Sequence, residues 1–208
     1  MGALSRIGLA MVRRVARRYR TCVVLLSGYP GVGKRTVGSL LAQILDGALV
    51  DNALINLPVL TALKWDGKTP LPDGIWDRAK PIRAAVLATI ADLAPTTVSY
   101  VFTTVLTDDE DGATQYDELR DLARKRGALF QAVMLACDPA DQARRIDTPD
   151  RRARLKGTDP EEHLLYSQQT ALLQPPGEEL LRLDTTSVTP QASADTIYTA
   201  LIERGLRP

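Results

Sequence analysis

At 208 residues, 45% of them hydrophobic, the chain is long enough for one ordinary domain with a full core. Lys and Arg number 26 against 25 Asp and Glu, a formal net charge of +1 that makes no global case for a nucleic-acid partner. No segment approaches the roughly 20 apolar residues of a membrane span, so the sequence reads as a soluble protein.

The positive charge is uneven. Arg6, Arg13, Arg14, Arg17, Arg18 and Arg20 crowd the start of the chain. This reads either as a membrane-surface or targeting helix, or as a solvated extension over residues 1–20 (or an upstream start ahead of Met11). The apolar stretch of a signal peptide is missing, because Val23 to Leu26 is short and runs straight into the next feature. Residues 21–208 then read as a single domain.

That next feature is Leu25-Leu26-Ser27-Gly28-Tyr29-Pro30-Gly31-Val32-Gly33-Lys34-Arg35-Thr36. An apolar strand over Thr21–Ser27 meets a Gly-rich turn, and a helix opens at Gly33. A phosphate-binding loop requires this context, in which successive N–H groups and a helix N-terminus face one concavity. Gly28, Gly31, Val32, Gly33, Lys34, Arg35 and Thr36 are the candidate nucleotide-binding residues, with the Lys34 ammonium directed at the β and γ phosphates. The spacing fits the Walker A pattern except at Arg35, where Ser or Thr is the rule; the hydroxyl comes one residue later, at Thr36. A plain Gly/Pro turn accounts for the glycines but not for Lys34 at that offset.

Beyond the loop, short apolar runs at Ala48–Val50, Thr97–Leu106, Ala128–Ala136 and Leu180–Leu183 alternate with helical patterns. The helices fall at Lys34–Leu45, Ile75–Leu93, Thr114–Arg126, Pro139–Ile146, Pro160–Leu173 and Pro190–Arg204. Such alternation predicts an α/β fold with a parallel sheet covered on both faces. Ligands in such sheets collect at the carboxyl ends of the strands. Asp51 closes the second strand and is placed to take a proton from an attacking hydroxyl, or simply to cap the helix that follows. Arg83 lies beside the apolar stripe of Ile75–Leu93, where it either reaches a substrate or is solvated; Arg78, one turn earlier, is a weaker candidate. Asp108, after the third strand, is the candidate Walker B acid, and Thr103 or Thr104 could instead occupy that depth.

The stretch Arg144 to Lys156 carries five arginines and a lysine around a Pro turn. It reads as a mobile flap over about 144–159, with Arg145 and Arg151 closing over a transferring phosphoryl group. Cys22 and Cys137 sit in apolar strands without metal-ligand neighbours, which points to a reducing compartment and hence the cytoplasm. His163 stands alone in the chain and reads as a surface residue.

Together the loop, the strand-end acid and the Arg-rich flap resemble the P-loop kinase group that includes adenylate, shikimate, gluconate and chloramphenicol kinases. The resemblance covers most of the chain from about Thr21 onward, and its one sharp motif is the phosphate loop. It implies a three-layer sandwich around a five-stranded parallel sheet, ATP with Mg²⁺, an acid after the second strand, a substrate-binding helix and an arginine lid. By position these fall on Asp51, the helix of Arg83, and Arg144 to Arg154. Gly33-Lys34-Arg35-Thr36 is similar to the adenylate kinase form, which implies contact of Thr36 with the α-phosphate and a metal held largely through water; Thr36 and Asp108 are the weak metal candidates.

No Asn-Lys-x-Asp run, no ABC-type signature and no room for an AAA+ lid domain leave other P-loop classes a poorer fit. The resulting expectation is an ATP-dependent phosphotransferase acting on a hydroxyl or phosphate of a small molecule. The alternative is a nucleotide-binding regulatory module without transferase activity.

Overall fold

A computed structural model describes residues 19–175 and 180–207. The basic run from Arg6 to Arg18 lies outside the described residues, so the two readings of that extension carry no structural account. Strands β1 (Cys22–Ser27), β2 (Ala48–Asp51), β3 (Tyr100–Thr103), β4 (Leu129–Ala136) and β5 (Leu180–Asp184) form one five-stranded sheet in the order β2-β3-β1-β4-β5. Every pairing is parallel. Strands buried on both faces read as continuous apolar runs, and β1 (Cys-Val-Val-Leu-Leu-Ser) is wholly buried.

Two apolar layers cover the sheet. On one face, alternate residues Cys22, Val24 and Leu26 of β1 meet α1 (Lys34–Ile44) and α8 (Pro190–Glu203) through Val37, Leu41, Ile197 and Leu201. On the other face, Val23, Leu25 and Phe102 meet α3 (Ile75–Asp92) and α4 (Glu110–Arg126) through Ile90, Tyr116 and Leu119. This is the expected three-layer sandwich. No helix of the described residues is long and apolar enough to cross a membrane. Both cysteines are free, and burial pushes the Cys22 thiol up to about 11.

Several boundaries differ from the sequence expectation, each for a local reason. Strand β3 ends at Thr103 rather than Leu106, because the chain lifts away there: the Thr104 N–H still reaches the Leu26 carbonyl, and the Leu106 N–H donates to the Ser27 hydroxyl instead of a strand. The acidic run after it builds a helix start. Asp109 caps α4 by accepting from the Gly112 N–H (2.8 Å), while Glu110 and Asp111 sit in the first turn, where the helix dipole favours anions. A helix α2 (Asn52–Ala62) follows β2 directly, although Pro58 lies inside it. Within the flap, α5 (Pro139–Ile146) is followed by a single turn, α6 (Pro149–Arg152), and then by α7 (Pro160–Gln169).

The loop between α3 and β3 is held by a buried cation. Arg126 donates to the carbonyls of Ile90, Ala94, Pro95 and Val98 at 2.6–3.3 Å and lies 5.1 Å over the Tyr100 ring. Four carbonyls and a π face replace the water this guanidinium gives up. The contact anchors the entry to β3 and so fixes the depth at which Thr103 emerges.

Candidate active site

The site lies at the carboxyl ends of β1, β2 and β3. Gly28 takes φ +141, and a Cβ there would lie 2.3 Å from the Leu135 carbonyl oxygen of β4. At Gly33, φ is +91 and nothing stands within 4 Å of where a Cβ would be, so the mouth of the loop is open above the first turn of α1. The loop is braced from outside. Gln142 donates to the Pro30 carbonyl (2.7 Å) beside Gly31, and the Thr185 hydroxyl donates to the carbonyl of buried Val32 (3.0 Å). Tyr29 packs edge-on against Tyr166 and donates its hydroxyl to the Thr170 carbonyl (2.6 Å), tying the loop to the end of α7.

Lys34 turns back into the loop and donates to the carbonyls of Gly28 (2.5 Å) and Tyr29 (2.9 Å). Burial first, then the neighbouring charges of Lys156 and Arg151, bring its pKa down to about 7. This group stabilises the charged form of whatever anion enters, and its own charge is poorly compensated without one.

Asp51 is the hub. Its carboxylate is buried, accepts from the Thr103 hydroxyl (2.9 Å) and caps α2 through the Ala53 N–H (3.4 Å). Lys156 bridges both its oxygens at 3.2 and 3.0 Å, and the Arg35 Nε lies 3.1 Å from Oδ2. Burial pushes the Asp51 pKa up, but the Lys156 charge and the hydrogen bonds from Lys156, Thr103 and Ala53 outweigh it, so the carboxyl is held below the usual carboxylate range. The two sequence readings of Asp51, strand-end acid and helix cap, therefore describe one side chain in both positions.

The flap folds over this hub. Arg151 donates through Nε (3.2 Å) and Nη2 (2.7 Å) to the Gly157 carbonyl, and His163 contacts the same oxygen at 3.0 Å. His163 is half-buried under the flap rather than on the surface, and burial lowers its pKa. Asp150 carries the flap back to the loop through Arg35 (3.4 Å). Leu155, at φ +46, makes the left-handed kink that brings Lys156 onto Asp51. From the other side, the Gly67 carbonyl accepts from the Thr158 N–H (3.4 Å), so the Pro/Gly-rich segment after α2 touches the flap.

Other sequence candidates sit differently. Arg145 does not join the hub: its guanidinium is committed to the Thr185 hydroxyl (3.2 Å), the Thr185 carbonyl (3.0 Å) and Asp141 (3.3 Å), on the β5 side of the loop. Arg83 is held by Glu118 (3.0 Å), with Asp111 at 3.6 Å, in a cleft beside Asn52 and Thr103. Asp108 is exposed; its backbone N–H donates to the Ala171 carbonyl, and its carboxylate has no hydrogen bond or ion pair to the loop among the described residues. Thr36 is exposed on α1 and its hydroxyl has no partner among the described residues.

This donor set fits a polyphosphate. Asp51 already carries two cations, and no group of three or more His, Cys, Asp or Glu poised for a metal occurs among the described residues. Sequence reasoning missed Arg35 and Lys156 as the partners of Asp51. Their only signal was charge at a Walker A position and inside the basic flap.

No protein-family model matches the chain, and no curated protein matches it in sequence. Solved structures do. A Chloroflexus aurantiacus protein named as a kinase aligns over 86% of this chain and 98% of its own at a TM-score of 0.62 and 19% identity. A gluconokinase from Sinorhizobium meliloti aligns over 90% and 99% (TM-score 0.54, 20% identity). The fold is that of the P-loop kinases. A third example, the Mycobacterium tuberculosis APS kinase solved with AMPPNP and APS, covers 88% of this chain and 99% of its own at a TM-score of 0.53 and 17% identity. Identities this low establish the P-loop kinase fold and leave the chemistry to the side chains above.

Proposed function

We propose that the protein is an ATP-dependent phosphotransferase acting on a hydroxyl of a small molecule. One observation carries the reading: Lys34, Arg35, Arg151 and Lys156 converge around one buried carboxylate, Asp51, at the mouth of the phosphate loop. The fold shared with the gluconokinase and APS kinase supports it. In this scheme the loop N–H groups and Lys34 hold the β and γ phosphates, where a magnesium ion accompanying the nucleotide would supply further neutralising charge. Arg35 and Lys156 leave Asp51 for the more highly charged phosphates, which frees its carboxylate to accept the acceptor's hydroxyl proton. The acceptor oxygen bonds to the γ-phosphorus as the bond to the bridging oxygen breaks, and ADP leaves with that electron pair. Arg151 and Lys156, delivered by the flap, stabilise the charge on the transferring group.

Incubation with Mg-ATP and small-molecule pools, read by mass spectrometry, tests the proposal. A phosphorylated product that vanishes in Asp51→Asn is expected. Intact ATP binding with no product from any pool overturns it. A regulatory nucleotide-binding module is the second reading, favoured by the engagement of Asp51 with Arg35 and Lys156. It requires slow ATP hydrolysis that is indifferent to Asp51→Ala.

A further inference from the structure

Resting on the phosphotransferase reading, we infer that Thr103 is a positioning residue for the transfer: it anchors Oδ1 of Asp51 and so reserves Oδ2 to take the acceptor's proton. The assignment follows from the donors that each oxygen meets. Oδ1 accepts from the Thr103 hydroxyl (2.9 Å), the Ala53 N–H (3.4 Å) and Lys156 (3.2 Å). Oδ2 meets Lys156 (3.0 Å) and the Arg35 Nε (3.1 Å). The donors fixed by the buried frame of the fold, from β3 and the first turn of α2, therefore fall on Oδ1. Those on Oδ2 are the ends of long, partly exposed side chains, one from α1 and one from the flap.

Thr103 is itself held for this task. Asp51 and Thr103 are register partners in neighbouring parallel strands, so their side chains leave the sheet on the same face. The Thr103 methyl packs toward α1 at Gly38, 3.4 Å from where a Cβ would stand, and this contact fixes χ1 of a branched side chain. Its hydroxyl oxygen accepts from the Asn52 N–H (3.2 Å), which leaves its single proton for Asp51. A proton arriving on Oδ1 would meet that O–H head to head. Oδ2 opens once Arg35 and Lys156 move to the phosphates. The acceptor's hydroxyl proton then passes to Oδ2 while its oxygen bonds to the γ-phosphorus, and ADP leaves with the electron pair of the broken bond. The carboxyl returns the proton to water afterwards. The charged groups facing Asp51 are Lys34 and Arg35 of α1 and Arg151 and Lys156 of the flap, with Asp150 behind Arg35. These cations keep the carboxyl ionised when the Thr103 hydroxyl is removed, so its loss alters where the carboxylate points rather than whether it is charged.

Thr103→Val keeps the shape without the hydroxyl, and Thr103→Ser keeps the hydroxyl. Both are assayed as full-length protein with Mg-ATP and an acceptor pool that the wild type phosphorylates. Thr103→Val is expected to lower turnover about 10- to 100-fold, with calorimetric ATP affinity unchanged as the check on folding. The acid limb of its turnover against pH is expected to lie at higher pH, because the charged carboxylate has lost a donor. Thr103→Ser is expected to stay within about threefold of wild type and to keep the wild-type limb. Where Thr103→Val loses ATP affinity, Thr103→Ala, which drops the hydroxyl without adding bulk, is read in its place. Turnover within about threefold of wild type in the hydroxyl-free variant, or an unmoved acid limb, overturns the role of Thr103 and leaves the phosphotransferase reading standing. A Thr103→Ser protein as slow as Thr103→Val overturns that role too. No product from the wild type with any pool, with ATP binding intact, overturns the phosphotransferase reading and this inference with it.

Discussion

The two flanks of Asp51 are built on opposite electrostatic plans. On the loop side, Arg35 and Lys156 pair with Asp51 while Lys34 and Arg151 rest on backbone carbonyls, and burial with mutual repulsion depresses the pKa of Lys34 and Lys156. On the α3–α4 side, Arg83 and Lys80 are both paired with the carboxylates of Asp77, Asp111 and Glu118. Arg126 shows what a buried cation needs when its role is structural, namely a carbonyl for nearly every N–H. Excess cation at the loop is destabilising until an anion arrives, and a fold keeps such an arrangement where the anion is the ligand. The difference separates a surface short of anions from one whose cations already have them.

The largest expected effect comes from the residue between the two flanks. Asp51→Asn should lower turnover of any acceptor found in the small-molecule pools by about 10²- to 10⁴-fold while nucleotide affinity holds or tightens, because a negative charge leaves a cation-rich site. Turnover within about threefold of wild type would remove the acid from the reaction. Lys156→Met should cost about 10- to 100-fold in turnover and make residues 147–159 more sensitive to limited proteolysis, since the flap loses its tie to Asp51; Lys156→Arg should recover part of both.

A pH titration sharpens the loop side alone. Lys34 titrates at about 7 without nucleotide, and adjacent phosphates raise that value. Bound protein then holds more protons than free protein above pH 7, so ATP affinity should fall with rising pH, by at most about tenfold per unit, and stay level below 7. Calorimetry in buffers of different ionisation enthalpy should register proton uptake on binding at pH 8; zero uptake there contradicts the charge state assigned to Lys34. Smallest of all, Arg83→Met should change ATP affinity by no more than about threefold, because its charge is already neutralised. A tenfold loss would erase the contrast between the flanks.

What the sequence reveals is whatever is local in it. The strand–glycine–lysine run from Cys22 to Thr36 carries its own geometry, and Asp51 is legible because it ends a strand next to that run. The alternation of apolar runs is enough for the layered architecture, whereas the strand order depends on contacts between distant segments. A helix starting after Asp51 is one reading of that residue, but the length of α2 was hidden by Pro58, which normally argues against a helix interior. The partners of Asp51 were hidden by distance: Lys156 is 105 residues away. Which of the flap's cations points inward depends on the turn at Leu155, a left-handed conformation with no glycine to announce it. Asp108 is ambiguous in sequence because the acids beside it, Asp109 to Asp111, start a helix, and such acids look like acids that end a strand.

The direct test of the polyphosphate claim is a calorimetric titration of Mg-ATP into the wild type and into Lys34→Ala. The account predicts saturable binding to the wild type and affinity about 10- to 100-fold weaker in the variant, the loss of a charge-assisted contact to phosphate. Equal affinities in the two proteins would contradict it.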